Sequence, residues 1–331
     1  MNSSSFSPTA GRRSRPALII AALGIALAMI LSAGPASAQE SGYASGGTTY
    51  ALNTSGELLA FDRGEPGQID SRATVTGLAP GESLVGVDFR PANGQLYGIG
   101  DTSQLYTIDP ATGAATPVAP LTETLEGNVF EVDFNPSADA IRLVSDSAQN
   151  LRIDPDTGET TVDGTLAYAE GDENAGVSPA VVAGAYANNL DGVEDTALYD
   201  FDLATGNYVQ QDPPNDGVLN TIGPPSVGFT SLVGFDITSL SGADEGFAAI
   251  QSAQGQPSVL YGVDVESGSL GEIGTIGQGE YVSDLAIPTT KMDALPDTSG
   301  LPLAALITAA AGAAILIPAS LMIGLSARRN Y

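Results

Sequence analysis

A repeated segment constrains this chain more than any other feature. Gly86-Val87-Asp88-Phe89-Arg90-Pro91 returns 45 residues later as Glu131-Val132-Asp133-Phe134-Asn135-Pro136. The same offset relates Gln104 to Gln149, Ile108-Asp109-Pro110 to Ile153-Asp154-Pro155, and Thr112-Gly113 to Thr157-Gly158. A register that holds from residue 86 to residue 113 identifies a duplicated unit. Such periods mark solenoids, propellers or arrays, in which each unit buries its faces against its neighbours.

The unit itself reads as β-structure. Leu84–Phe89, Gln95–Gly100, Leu105–Ile108 and Ala115–Val118 are short alternating runs separated by Pro, Gly, Asn and Asp, the antiparallel strand pattern. Four strands in ~40–50 residues is the size of a propeller blade. Looser copies follow: Leu198-Tyr199-Asp200-Phe201-Asp202 runs into Thr205-Gly206, and Leu260-Tyr261-Gly262-Val263-Asp264 into Ser267-Gly268. In each, the last aspartate and the Thr/Ser-Gly pair suit a tight hairpin, so Asp109, Asp154, Asp202 and Asp264 are turn residues. No useful stretch of the central region carries a 3.6-residue period. The expected fold is all-β, a β-propeller.

The blade count is five, with six as the alternative. Four blades occupy residues 83–121, 128–166, about 180–222 and about 229–276. The fifth is split between the ends of the domain. Tyr281–Ile287 resembles the first strand of a blade and stops at Pro288, whereas Thr48–Leu52, Glu57–Asp62 and Ala73–Leu78 are three strands without a first. Pairing the two ends closes the ring and hides two sheet edges that would otherwise invite aggregation.

The ends of the chain read as addresses. Arg12, Arg13 and Arg15, an apolar run to Ala33 and the site Ala36-Ser37-Ala38 compose a secretory signal peptide over residues 1–38. Residues 301–325 are apolar, uncharged, long enough for a transmembrane helix, and followed by Arg328 and Arg329 in a tail over 326–331. The expected topology is a single-pass cell-membrane protein with an extracytoplasmic body and a cytoplasmic C-terminus. Between the two segments lie a linker (39–47), the propeller (48–288) and a second linker (289–300). That second linker contains Leu295-Pro296-Asp297-Thr298-Ser299-Gly300, which resembles a sortase sorting signal with Ser299 in the place of its glycine. Cell-wall attachment is the alternative to a plain membrane anchor.

Charge narrows the partners. All 39 acidic residues lie between the terminal segments with only six of the 11 basic ones, so the exported part carries −33. Such a surface repels nucleic acid and anionic membranes, and favours cations, basic partners or solubility. There is no cysteine, so an exported domain here has no disulfide support and relies on its core.

The segments GVDFRPANGQLYGIG (86–100), LYTIDPATGAAT (105–116), IRLVSDSAQNLRIDPDTG (141–158) and GDENAGVSPAVVAGAYANN (171–189) resemble a family of exported bacterial proteins catalogued as domain of unknown function 4394. The resemblance covers nearly all of residues 48–288 and implies a propeller-like exported domain with no established activity.

No histidine is present, and with cysteine also absent this removes Ser-His-Asp and Cys-His catalysis and zinc or haem sites built on those residues. Carboxylates remain. The first strand of a blade lines the channel, and Asp88, Asp133, Asp236 and Asp284 stand at matching positions, with Ala185 beside Tyr186 in the third blade. Carboxylates converging there either bond backbone amides between blades or hold a hard cation, Ca²⁺ or Mg²⁺. Arg142, Asn150 and Arg152 form a second candidate, as a structural ion pair with Asp146 or a neighbouring blade or as a site for an anionic ligand. The acidic loops at 171–176 and 191–195 lack calcium-loop spacing and read as surface turns. The expected function is a binding or structural module of the bacterial envelope, engaging an envelope protein, a polysaccharide or a small ligand. The alternative is a Ca²⁺- or Mg²⁺-dependent hydrolase or lyase using the channel aspartates.

Overall fold

The computed structural model describes residues 46–289. The expected export and anchor segments, 1–38 and 301–325, lie outside the described residues. Among those described, no helix is long and apolar enough to cross a membrane.

Five sheets, antiparallel except at one short edge strand, form five blades. The first contains β1 (Thr48–Asn53), β2 (Glu57–Asp62) and β3 (Ile69–Thr74). The second contains β4 (Leu84–Phe89), β5 (Leu96–Gly100), β6 (Gln104–Asp109) and β7 (Ala114–Pro120). The third contains β8 (Phe130–Asn135), β9 (Ala140–Ser145), β10 (Asn150–Ile153) and β11 (Thr160–Val162). After the short β12 (Ala167–Tyr168), the fourth contains β13 (Val181–Tyr186), β14 (Leu198–Asp202), β15 (Asn207–Gln211) and β16 (Val218–Gly223). The fifth contains β17 (Val233–Thr238), β18 (Glu245–Ile250), β19 (Val259–Val263) and β20 (Leu270–Thr275). The last strand, β21 (Val282–Ala286), pairs with β1 and completes the first blade, Tyr50 facing Ala286 and Ala51 facing Leu285. The split blade and the count of five stand as expected.

The core lies between blades. Tyr97, Ile99 and Leu105 of the second blade pack on Phe134, Ile141 and Leu143 of the third. Tyr97 and Phe134 meet edge to face at 5.3 Å, and Phe201 and Phe235 do so at 5.2 Å across the next but one interface. Inner strands are therefore covered on both faces, and β5, β13 and β17 are buried at every residue. Only an outer strand such as β3 alternates between half-buried and exposed. The four hairpin glycines, Gly113, Gly158, Gly206 and Gly268, have φ of 72°, 72°, 70° and 68°, the left-handed conformation that their turns require.

Two elements differ from the sequence reading. The third strand of the first blade is Ile69–Thr74, not Ala73–Leu78. Turns through Gly64 and Gly67 bring the chain back early, and Val75 and Leu78 pack against the core from a loop instead. The fourth blade carries an extra edge strand, β12, parallel to β16, with Ala167 facing Val218. It covers an edge that would otherwise be open.

Candidate functional site

The inner strands β21, β4, β8, β13 and β17 contact one another in a closed cycle around the axis. Their carboxylates stitch that cycle together. Asp88 accepts the N–H of Phe134 (2.8 Å), Asp133 that of Tyr186 (3.1 Å), and Asp236 that of Ile287 (2.5 Å). Each bond reaches the next blade, one residue beyond the position that matches the aspartate. By this pattern the match in β21 is Ala286, and Asp284 stands two residues earlier. Asp284 still makes the equivalent stitch, accepting the N–H of Val87 at 2.8 Å. The second oxygens of Asp88, Asp236 and Asp284 accept their own following N–H groups. Between β13 and β17 no carboxylate is available, because the matching residue is Ala185.

The first three aspartates converge. Asp88, Asp133 and Asp236 each bring a carboxylate oxygen within 4.8 Å of the other two. Three oxygens no more than 4.8 Å apart share a centre within about 2.8 Å of each, so shifts of a few tenths of an ångström bring all three to a Ca²⁺ ligand distance of about 2.3–2.6 Å. Burial is nearly complete, at 1%, 2% and 0% exposure respectively, so a polymeric substrate does not reach these groups in this conformation. Burial pushes the acidity of all three towards the neutral form; the Asp236 charge adds to the rise at Asp88, and the Asp88 charge to that at Asp133. Asp236 is pushed up to about 7, against the pull of backbone N–H groups and of Arg63. Arg63 lies over the Phe247 ring at 4.9 Å and is the basic residue nearest in effect to this cluster.

Two further acids are as deeply buried. Glu131 (2% exposed) lies in β8 two residues before Asp133, and Asp200 (0%) lies in β14 opposite Gly184. Burial raises both pKa values, and the charge of Asp200 raises that of Glu131 further. Period two places Glu131 on the face of Asp133 and Asp200 on that of Asp202, a signal that was in the sequence.

The second predicted site is a closed network. Arg142 donates to Tyr186 Oη (3.2 Å), Asn150 Oδ1 (2.7 Å), Asp163 Oδ2 (2.7 Å) and Asn215 Oδ1 (2.6 Å). Its carboxylate partner is Asp163, not Asp146, which instead caps the N–H of Asn128. Asn150 donates to the carbonyls of Gly164 and Pro214, and Arg152 pairs with Asp163 at 3.1 Å. The guanidinium thus ties the third blade to the fourth. Of the acidic loops, the first is fastened by Asp172, which accepts from Asn174 and from both the N–H and hydroxyl of Thr221.

Among solved structures, the chain is similar to a structural-genomics protein of unknown function from Bacteroides thetaiotaomicron, at 17% identity and a TM-score of 0.46. That match covers 74% of this chain, which spans 64% of the length of the Bacteroides protein. A chain in a nidogen/laminin complex aligns at 11% identity and a TM-score of 0.44, over 75% of this chain and 100% of that one. A protein from Lactobacillus plantarum aligns at 18% identity and a TM-score of 0.39, over 71% and 70% of the two chains. No curated protein matches the sequence. The model of the domain of unknown function DUF4394 matches residues 57–286, and the chain belongs to that family.

Proposed function

We propose that this chain is an extracytoplasmic binding or structural module of a bacterial envelope, in which a Ca²⁺ or Mg²⁺ ion held by Asp88, Asp133 and Asp236 locks the propeller. One observation carries the reading: three buried carboxylates meet within 4.8 Å. Like charges so close and so dry repel strongly unless they are protonated or bridged. A hard dication with oxygen ligands relieves all three at once. The stitches to neighbouring blades make the site a clamp on the ring, which leaves the loops at its mouths free to meet a partner. A net charge of −33 on the region outside the membrane favours a basic or cationic partner over a polyanion. The apolar segment 301–325 would display the propeller on the outer side of the membrane.

Metal analysis of the chain isolated in detergent tests the ion. Material prepared in Ca²⁺ and Mg²⁺ is expected to retain one of them after dialysis, and Asp133→Asn to release it. A wild-type chain that retains neither would remove the channel ion from this reading.

A further inference from the structure

We propose that Glu131 and Asp200 form a second buried cation site, separate from the channel cluster and suited to Ca²⁺. The two carboxylates crowd against the same backbone position, and they can do so because residue 184, in the middle of β13, is glycine. A Cβ on Gly184 would collide with Asp200 Oδ1 and come within 2.9 Å of Glu131 Cγ and 3.3 Å of its Cδ. Glycine inside a strand weakens it, and its use there marks a close approach by another group.

The oxygens around this position lack donors. Glu131 Oε2 accepts the N–H of Val144 at 3.2 Å, but Glu131 Oε1 and both oxygens of Asp200 meet no hydrogen-bond partner among the described residues. The contrast within one strand is direct. Asp202, two residues further along β14, accepts from the N–H groups of Ala180 and Ala204 and from the hydroxyls of Tyr168 and Thr205. A buried carboxylate without such partners carries the full cost of desolvation. Arg142 is the nearest balancing charge for both acids, yet its hydrogen bonds run to Tyr186, Asn150, Asp163 and Asn215. Three free acceptor oxygens on two buried carboxylates supply about half of a six-oxygen dication shell, which water or backbone carbonyls complete. Ca²⁺ fits better than Mg²⁺, because it accepts bidentate carboxylates in irregular geometry, whereas Mg²⁺ demands a near-ideal octahedron.

This inference does not depend on the channel ion, since neither residue belongs to the group formed by Asp88, Asp133 and Asp236. The test counts Ca²⁺ per chain on the full-length protein in detergent, after loading and removal of free metal. Glu131→Gln/Asp200→Asn is expected to lose one Ca²⁺ relative to wild type, and Asp88→Asn/Asp133→Asn to keep that ion. Equal Ca²⁺ in wild type and Glu131→Gln/Asp200→Asn overturns the proposal; if that metal then leaves with Asp88→Asn/Asp133→Asn, the channel reading still stands. A wild type without Ca²⁺ overturns this proposal and leaves the channel to Mg²⁺ alone. Should the double variant not fold, wild-type crystals grown with Tb³⁺ decide. An anomalous peak within about 2.6 Å of Asp200 and Glu131 oxygens supports the site. Two carboxyl groups bonded to each other with no peak overturn it in favour of a shared proton.

Discussion

Raising the pH of the metal-free protein is expected to weaken it through the channel acids. Asp236 has its pKa raised from an ordinary 3.8 to about 7. Between those values the folded chain holds a proton that the unfolded chain has released. Stability is therefore full below about pH 3.8 and is lost as pH rises through about 7. At ~1.4 kcal/mol for each pH unit, the loss amounts to roughly 4 kcal/mol from this residue. Asp236 is fully buried, so solvent screening does not reduce it. Over pH 4.5–7.5 about 3 kcal/mol of this is lost, and since ~1 kcal/mol moves Tm by about 2–4 °C in a domain of this size, the fall is roughly 6–12 °C. The assay is thermal unfolding in EDTA from pH 4.5 to 7.5, at high salt to screen the surface charge. Asp236→Asn separates the channel from the surface: it starts less stable, because an amide fits poorly against the N–H of Ile287, but its slope with pH should be shallower. Adding Ca²⁺ at pH 7.5 should restore the wild type, since the ionised carboxylates bind it and the unfolded chain does not. A metal-free Tm that stays level or climbs over this range, or an Asp236→Asn slope equal to that of wild type, would refute the reasoning.

Two other outcomes are expected. Arg142→Met fills the space but strands Asp163, Asn150 and Asn215, and should cost about 3–5 kcal/mol in urea unfolding; a loss under about 1 kcal/mol would mean the network is not holding the blades. Gly234→Ala places a Cβ 2.5 Å from the Asp284 carbonyl carbon in the closing strand, so about 1–3 kcal/mol should be lost, with faster exchange of the β21 amides.

Much of the fold was legible because blades are local. Every turn of the repeat carries its own chemistry, an aspartate and a glycine at fixed offsets, and these survive in all four hairpins. What the sequence hides is non-local. Asp284 matches Asp88 by sequence, yet β21 sits in a blade it shares with β1 and passes a register irregularity at Leu52/Asn53. Nothing near residue 284 carries the two-residue shift. Asp163 as the partner of Arg142 was hidden for a similar reason, since it follows β11 and reaches back over β10. Glu131 and Asp200 are legible: a charge inside a strand whose other residues are buried but for one is a signal in its own right.

The closing strand also sets an order of events. Ser283 bonds to the Leu52 carbonyl across a sequence separation of 231 residues, and β21 is the strand that pairs with β1 on that side. At a synthesis rate of ~5–20 residues per second, β1 waits roughly 10–50 s for its partner. During that interval its inner edge, the uncharged Thr48–Asn53, is an open template for another chain. Four blades can zip up in sequence, but the ring has no native form until the final strand arrives. Yield in the cell is then governed by how long the half-made edge is shielded, and holdase chaperones should raise it more than any stabilising change in the finished propeller.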